Sequence, residues 1–213
     1  MEKRKDTIND YTPFERTFRG MGKIIAMFNF LKIIPKERTI KILDVGTSDF
    51  GITKSLANYF DVDEIWGTDI ILDAPKLLRE IKFKGEKSLT IKYQKNNGKT
   101  LNYSSNFFGL VCCFMTIHHF TNKTLMLDEI FRISKKYILI KEHDCKNEGM
   151  KRDIIKQHKE YGEDYDGEGL MGEKWYISYF RAKGFELVRI QHETRKEKYG
   201  NFIALFEKKR KRK

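Results

Sequence analysis

Apolar residues along the chain come in short runs separated by polar, glycine-marked breaks, and the runs alternate between two spacings. Lys41 to Val45 is a brief apolar run ending in Asp44-Val45-Gly46, which predicts a strand. Ile52, Leu56 and Tyr59 follow at helical spacing and predict a helix over Ile52 to Tyr59. A second strand is predicted over Glu64 to Thr68, ending at Asp69, then a helix over Pro75 to Ile81 and a third strand over Leu89 to Tyr93. Leu110 to Met115 is apolar enough to be a strand buried on both faces. Lys123 to Ser134 reads as a helix with Leu127, Ile130 and Phe131 inward, and Tyr137 to Lys141 as a fifth strand. A polar helix over Met150 to Glu160 and a helix over Glu173 to Lys183, stopped by Gly184, complete the helical set. Phe185 to Gln191 and Asn201 to Glu207 read as two closing strands joined by a charged hairpin. Upstream, Thr12, Pro13 and Glu15 form a helix start, with Phe14, Phe18, Met21 and Ile25 on one face.

Strands alternating with helices predict a parallel α/β sheet. The final pair lacks a helix between its members and predicts an antiparallel hairpin at the end of that sheet. With 213 residues, three prolines and no repeat, one domain over residues 1–207 is the simplest reading. Within it, residues 1–38 form an N-terminal helical cap. Residues 208–213, all Lys or Arg, read as a basic tail.

Composition narrows the class. A hydrophobic content of 40% and an aromatic content of 13% exclude global disorder. Lys and Arg number 42 against 30 acids, a net charge of +12. That excess suggests a polyanionic partner, nucleic acid first and RNA in particular, against the alternative of a surface that merely keeps the protein dissolved. Cys112, Cys113 and Cys145 form no CxxC pair and fit a reducing compartment. The charged start of the chain lacks a signal peptide's apolar stretch, and no apolar run approaches the roughly 18 residues of a membrane span. An intracellular, cytoplasmic protein is expected, with a basic tail compatible with nuclear entry.

The chemistry concentrates at the carboxyl ends of the predicted strands. Ile42-Leu43-Asp44-Val45-Gly46 leads into Thr47-Ser48-Asp49-Phe50-Gly51, a strand-to-helix turn with glycines where the backbone bends or approaches a ligand. Asp69, at the end of the next strand, stands where nucleotide-binding α/β folds place an acid for ribose hydroxyls. An ordinary turn and a helix cap would explain each feature alone.

Three stretches together resemble the class I S-adenosylmethionine-dependent methyltransferases. They are Ile42 to Gly51, Asp69, and Phe107 to Phe120, the last with Thr116-Ile117-His118-His119-Phe120 after strand four. Leu127 to Ile133 resembles the family's helix before strand five. The resemblance implies a Rossmann-like three-layer sandwich around a seven-stranded, mostly parallel sheet, its seventh strand antiparallel between five and six. It implies S-adenosylmethionine as cofactor. It assigns the cofactor site to Asp44, Gly46, Thr47, Ser48, Gly51, Asp69, Ile70, Asn97, Gly98, Met115 and Thr116. Two departures stand out: Ser48 occupies a usual glycine position, and Gly109 a usual aspartate position.

On the acceptor side, His118 and His119 follow strand four, and Glu142-His143-Asp144 follows strand five. His143, Glu142 and His118 are candidate catalytic groups, with His143 a base near neutral pH. The bland reading of the histidine pair is that one packs and the other caps the next helix. No metal is expected, because consecutive Glu142-His143-Asp144 point in different directions. The segment Tyr161 to Trp175 is a candidate substrate cover. The expected activity is methyl transfer to RNA. A small-molecule or protein acceptor, or a binding subunit with a degenerate cofactor site, are the alternatives.

Overall fold

The structure, a computed structural model, describes residues 27, 29–37, 39–48, 50–69, 89–96, 99–120, 122–160, 165–193 and 200–209. The expected helices starting at Thr12 and Pro75 therefore lie outside the described residues, as do Ile70, Asn97 and Gly98.

Seven strands form one sheet: β1 Ile42–Val45, β2 Glu64–Asp69, β3 Thr90–Lys95, β4 Phe108–Phe114, β5 Ser134–His143, β6 Phe185–Glu193 and β7 Asn201–Lys208. The described helices are α1 Gly51–Phe60, α2 Lys123–Ile133, α3 Glu148–Glu160 and α4 Glu173–Ala182, with a 3-10 turn at Ile117–His119. The strand order is β3-β2-β1-β4-β5-β7-β6. β3 to β5 run parallel through β2, β1 and β4. β7 is antiparallel to both β5 and β6. The last hairpin thus closes the sheet with β7 inserted between β5 and β6, as the resemblance implied.

The period of two along the strands sorts side chains into two buried layers. Leu43, Val45, Val111, Cys113, Ile138, Ile140, Phe202, Ala204 and Phe206 share one cluster with α2 and α4. Ile42, Ile65, Leu110, Cys112, Leu139, Ile203 and Leu205 share another with Leu56, Ala57 and Phe60 of α1 and with Met27, Phe30, Leu31 and Ile34. Two faces covered by helices explain why β4 and β5 read as continuous apolar runs. α2 begins at Asn122, whose side-chain oxygen accepts the Leu125 N–H at 3.0 Å. The cap is therefore an asparagine and not a histidine, correcting the bland reading of His118 and His119.

Two sequence expectations change at the amino ends of the strands. Gly109 sits at a register shift in the β4–β5 ladder, with its N–H on the Lys41 carbonyl at 2.9 Å. A Cβ there would lie 2.8 Å from Ile40 Cγ1, so the residue present must be small. Lys208 is no tail residue. It ends β7, and its ammonium group donates to Asn106 Oδ1 at 2.7 Å and to the Ser134 carbonyl at 2.8 Å. Burial pulls the Lys208 ammonium below its ordinary value.

Candidate active site

Strand order reverses between β1 and β4, and in open α/β sheets ligands bind in the crevice at such a switch point. The loops leaving these two strands touch. Gly46 has φ +78°, and a Cβ on it would lie 2.2 Å from Thr116 Oγ1. Glycine is required at 46 because the residue after β4 packs against it. Asp44 is buried and accepts the Thr53 hydroxyl of α1 at 2.6 Å, fixing the end of β1 to the helix.

Ser48 adopts φ 46° and Phe50 φ 60°, both left-handed. Ser48 therefore takes the backbone shape that a glycine would hold without strain, which is why the departure is tolerated and also what it costs. Its N–H donates to Asp69 Oδ2 at 2.8 Å, so the acid on β2 secures the loop from β1. A carboxylate has about four acceptor sites, so the Ser48 bond by itself does not saturate Asp69. Behind it, the Tyr93 hydroxyl of β3 donates to the Asp69 carbonyl at 2.9 Å, and its ring meets Phe50 edge-on at 5.8 Å. Burial, and then the Asp69 charge, push the Tyr93 phenol up to about 12, so it keeps the proton it donates.

Gly51 opens α1 and leaves its first amides near the loop. Thr47 is buried, and its methyl faces Gly67, where a Cβ would come within 2.6 Å. Met115, with φ 54°, and Thr116 stand at the end of β4, partly exposed.

The acceptor side is organised by Glu142. Its Oε1 accepts the N–H groups of Thr116 at 2.9 Å and Ile117 at 2.7 Å, and its Oε2 takes His118 Nδ1 at 2.5 Å. Burial alone would raise this carboxyl, but the His118 charge and hydrogen bond and the Ile117 amide outweigh it and hold it below its ordinary value. Glu142 is thus an ionised anchor that folds the turn after β4 onto β5. His143 is 6% exposed, with Nδ1 paired to Asn201 Oδ1 at 2.9 Å. Burial, and then the His118 charge, lower it to about 3. A group so poor at holding a proton is a weak base near neutral pH. Asp144 turns away. Its Oδ1 accepts the Glu173 N–H at the start of α4, and its Oδ2 pairs with Lys146.

His158 of α3 and Tyr165 complete a ring cluster that sequence reasoning missed. His118 lies 4.9 Å from His143 and 5.2 Å from His158 between ring centroids, and the Tyr165 ring lies 4.5 Å from that of His158, tilted by 43°. Ile154 and His158, four apart and buried on an otherwise polar helix, were the available signal. Tyr165, from the expected substrate cover, donates its hydroxyl to the His118 carbonyl at 3.2 Å.

At the opposite, amino-terminal edge of the sheet lies a cleft of about 750 Å³. Lys41, Lys135, Lys136, Lys208 and Lys209 line it beside Phe107, together with Glu37 and Glu207, the latter paired with Lys136 at 3.9 Å.

A methyltransferase-domain family matches residues 43–137 of the chain. No curated protein matches it significantly. Among solved structures, a magnesium protoporphyrin IX methyltransferase from Synechocystis with bound SAH superposes with a TM-score of 0.66 at 12% identity, over 93% of this chain and 89% of that one. A SAM-dependent methyltransferase from Methanosarcina mazei does so with a TM-score of 0.63 at 16% identity, over 81% and 93%. One from Aquifex aeolicus gives 0.60 at 15% identity, over 84% and 87%. At these identities the structures speak for the fold, and the matched domain for the activity. With the Gly46 turn, the Asp69 carboxylate and the switch point in place, the chain carries a methyltransferase domain over residues 43–137, on the fold shared with solved S-adenosylmethionine-dependent methyltransferases.

Proposed function

We propose that the methyl acceptor is RNA, with the cofactor held by the Gly46–Gly51 turn and by Asp69. The observation that supports this reading is the position of the lysine-lined cleft. It lies at the far edge of the sheet from the cofactor loops. β5, which joins the two edges, has ten residues and spans about 33 Å at 3.3 Å per residue. An acceptor that engages both edges must be long and anionic. A polynucleotide fits, because lysines contact phosphates without reading sequence.

Methyl transfer from a sulfonium is an in-line displacement in which alignment supplies much of the help. The residues described here align: Glu142 and Asp69 fix the two loops between which donor and acceptor would meet. A buried base is not required of them, in keeping with the low affinity of His143 for protons.

A small-molecule acceptor is the second reading, favoured by the Synechocystis neighbour, whose name gives magnesium protoporphyrin IX as its substrate. The test is transfer of tritiated methyl from S-adenosylmethionine onto separate RNA, protein and small-molecule pools. Label in RNA, weakened by salt and by Lys135→Glu/Lys136→Glu, is expected. Label confined to the small-molecule or protein pool would overturn the RNA assignment.

A further inference from the structure

The ring cluster at the carboxyl edge has the donor set of a metal centre. Nitrogen atoms of His118, His143 and His158 all lie within 4.8 Å of one another, and all three residues are buried. They come from three elements: the turn after β4, the end of β5, and α3. Two have their orientation fixed from behind. Glu142 Oε2 already faces His118 Nδ1 at 2.5 Å, and a carboxylate only accepts, so His118 Nδ1 carries the hydrogen of that bond. Asn201 Oδ1 likewise accepts from His143 Nδ1. In both rings Nε2 is thereby directed away from the outer partner. His118 Nε2 is buried and makes no hydrogen bond among the described residues. A buried nitrogen with no partner needs an explanation, and a bound ion is one. Imidazoles whose far nitrogens donate to a carboxylate or carbonyl oxygen are the usual form of histidine ligation.

We propose that His118, His143 and His158 bind one divalent ion of the zinc class, with Glu142 and Asn201 as positioning residues. Neutral imidazole nitrogens select borderline transition metals over magnesium or calcium, which take oxygen ligands. Bonds of about 2.0–2.1 Å draw three nitrogens together, and His158, carried on a helix outside the sheet, can supply that approach. Three protein ligands leave a fourth position for water or another oxygen ligand. The ion would fasten α3 to the ends of β4 and β5, where the packing is otherwise a small cluster of Ile154, Tyr165 and Leu170. The inference holds whatever the methyl acceptor is.

The full-length protein is equilibrated with Zn²⁺ or Co²⁺, freed of excess, and its metal content measured. The chain has five histidines, which gives a readout that needs no variant. Nitrogen NMR of the imidazoles is expected to move the signals of His118, His143 and His158 on addition of Zn²⁺ and to leave His192 in place; His119 is no control, because its ring lies 4.1 Å from that of His118. One ion per chain is expected, with the visible absorption of tetrahedral Co²⁺. His158→Gln is expected to abolish binding, and Asn201→Ala to weaken it about 10–100-fold. His192→Gln serves as control, because His192 belongs to a separate trio with Asp144 and Glu173. The proposal is overturned if the folded wild-type protein takes up neither metal. It is equally overturned if binding survives His158→Gln, or is lost in His192→Gln with the other histidine signals unmoved.

Discussion

The backbone amide of Ser48 and the carboxylate of Asp69, 21 positions apart, are joined by a 2.8 Å hydrogen bond. The acid assigned to the cofactor by the resemblance thus also holds the loop assigned to it. Asp69→Ala removes a carboxylate acceptor, and a hydrogen bond to a carboxylate contributes about 1.5–3 kcal/mol. Calorimetry is expected to report S-adenosylmethionine binding weakened by that amount, with the fold intact. Unchanged affinity would refute the assignment.

Ser48 itself holds φ 46°. Left-handed backbone costs a residue with a Cβ about 1–2 kcal/mol. Ser48→Gly relieves it, and urea unfolding is expected to give a more stable protein by about 1 kcal/mol after the entropy that glycine adds to the unfolded chain. A less stable variant would mean that the serine side chain, and not its backbone shape, is what the loop needs.

Gly46 has no such latitude. Its φ of +78° and the Thr116 hydroxyl 2.2 Å from an added Cβ act together against any side chain. Gly46→Ala is expected to lower stability by about 1–3 kcal/mol through overpacking. Cofactor binding should fall with it, because the loops from β1 and β4 must separate. Thermal melting with and without S-adenosylmethionine reads both effects.

Glu142 accepts from two backbone amides and one imidazole in a fully buried site. Removing the acceptor leaves buried donors unsatisfied, at about 1–3 kcal/mol for each. Glu142→Ala is expected to lose stability on that scale in urea unfolding, and to broaden the NMR signals of Thr116 to His118. A stable variant with reduced turnover would point instead to a direct role in the reaction.

Glu129 supplies a pH test away from the histidines. Its carboxylate accepts from Arg132 at 2.7 Å and from the Leu101 amide at 3.0 Å. The Arg132 hydrogen bond, acting against burial, lowers its pKa below 4.5. A depressed carboxyl contributes stability that is complete above the unfolded value and is lost as pH falls through the folded one. The wild-type stability curve should therefore drop more steeply below pH 4.5 than that of Glu129→Gln, and the two should run parallel above it.

Much of this was legible in the order of residues. The described strands and helices lie where periodicity placed them, within a few positions, because strands with both faces covered declare themselves by apolar density. Ser48 and Asp69 could be named from spacing. Their bond could not, because it joins two loops that meet only when β1 and β2 pair. His158 escaped for a related reason: a lone histidine on a polar helix carries no local signal of the two strand ends it faces. Glu142 was recognised as unusual, but its task depends on three donors some 25 positions away, and no spacing rule connects them. The burial that makes His143 a poor base is likewise a property of the packed site. Lys208 read as tail because composition marks charge and is silent on pairing.

Tyr93, on a strand near the edge of the sheet, braces both Phe50 and Asp69, while Glu142 and Asn201 brace the opposite side. The catalytic rim is thus two separately scaffolded halves that abut at Gly46 and Thr116. Such a division lets one half be rebuilt for a new acceptor without retuning the other. A lineage could exchange substrates by drift around β5 and α3 and keep its donor chemistry, provided the seam at Gly46 and Thr116 stays closed.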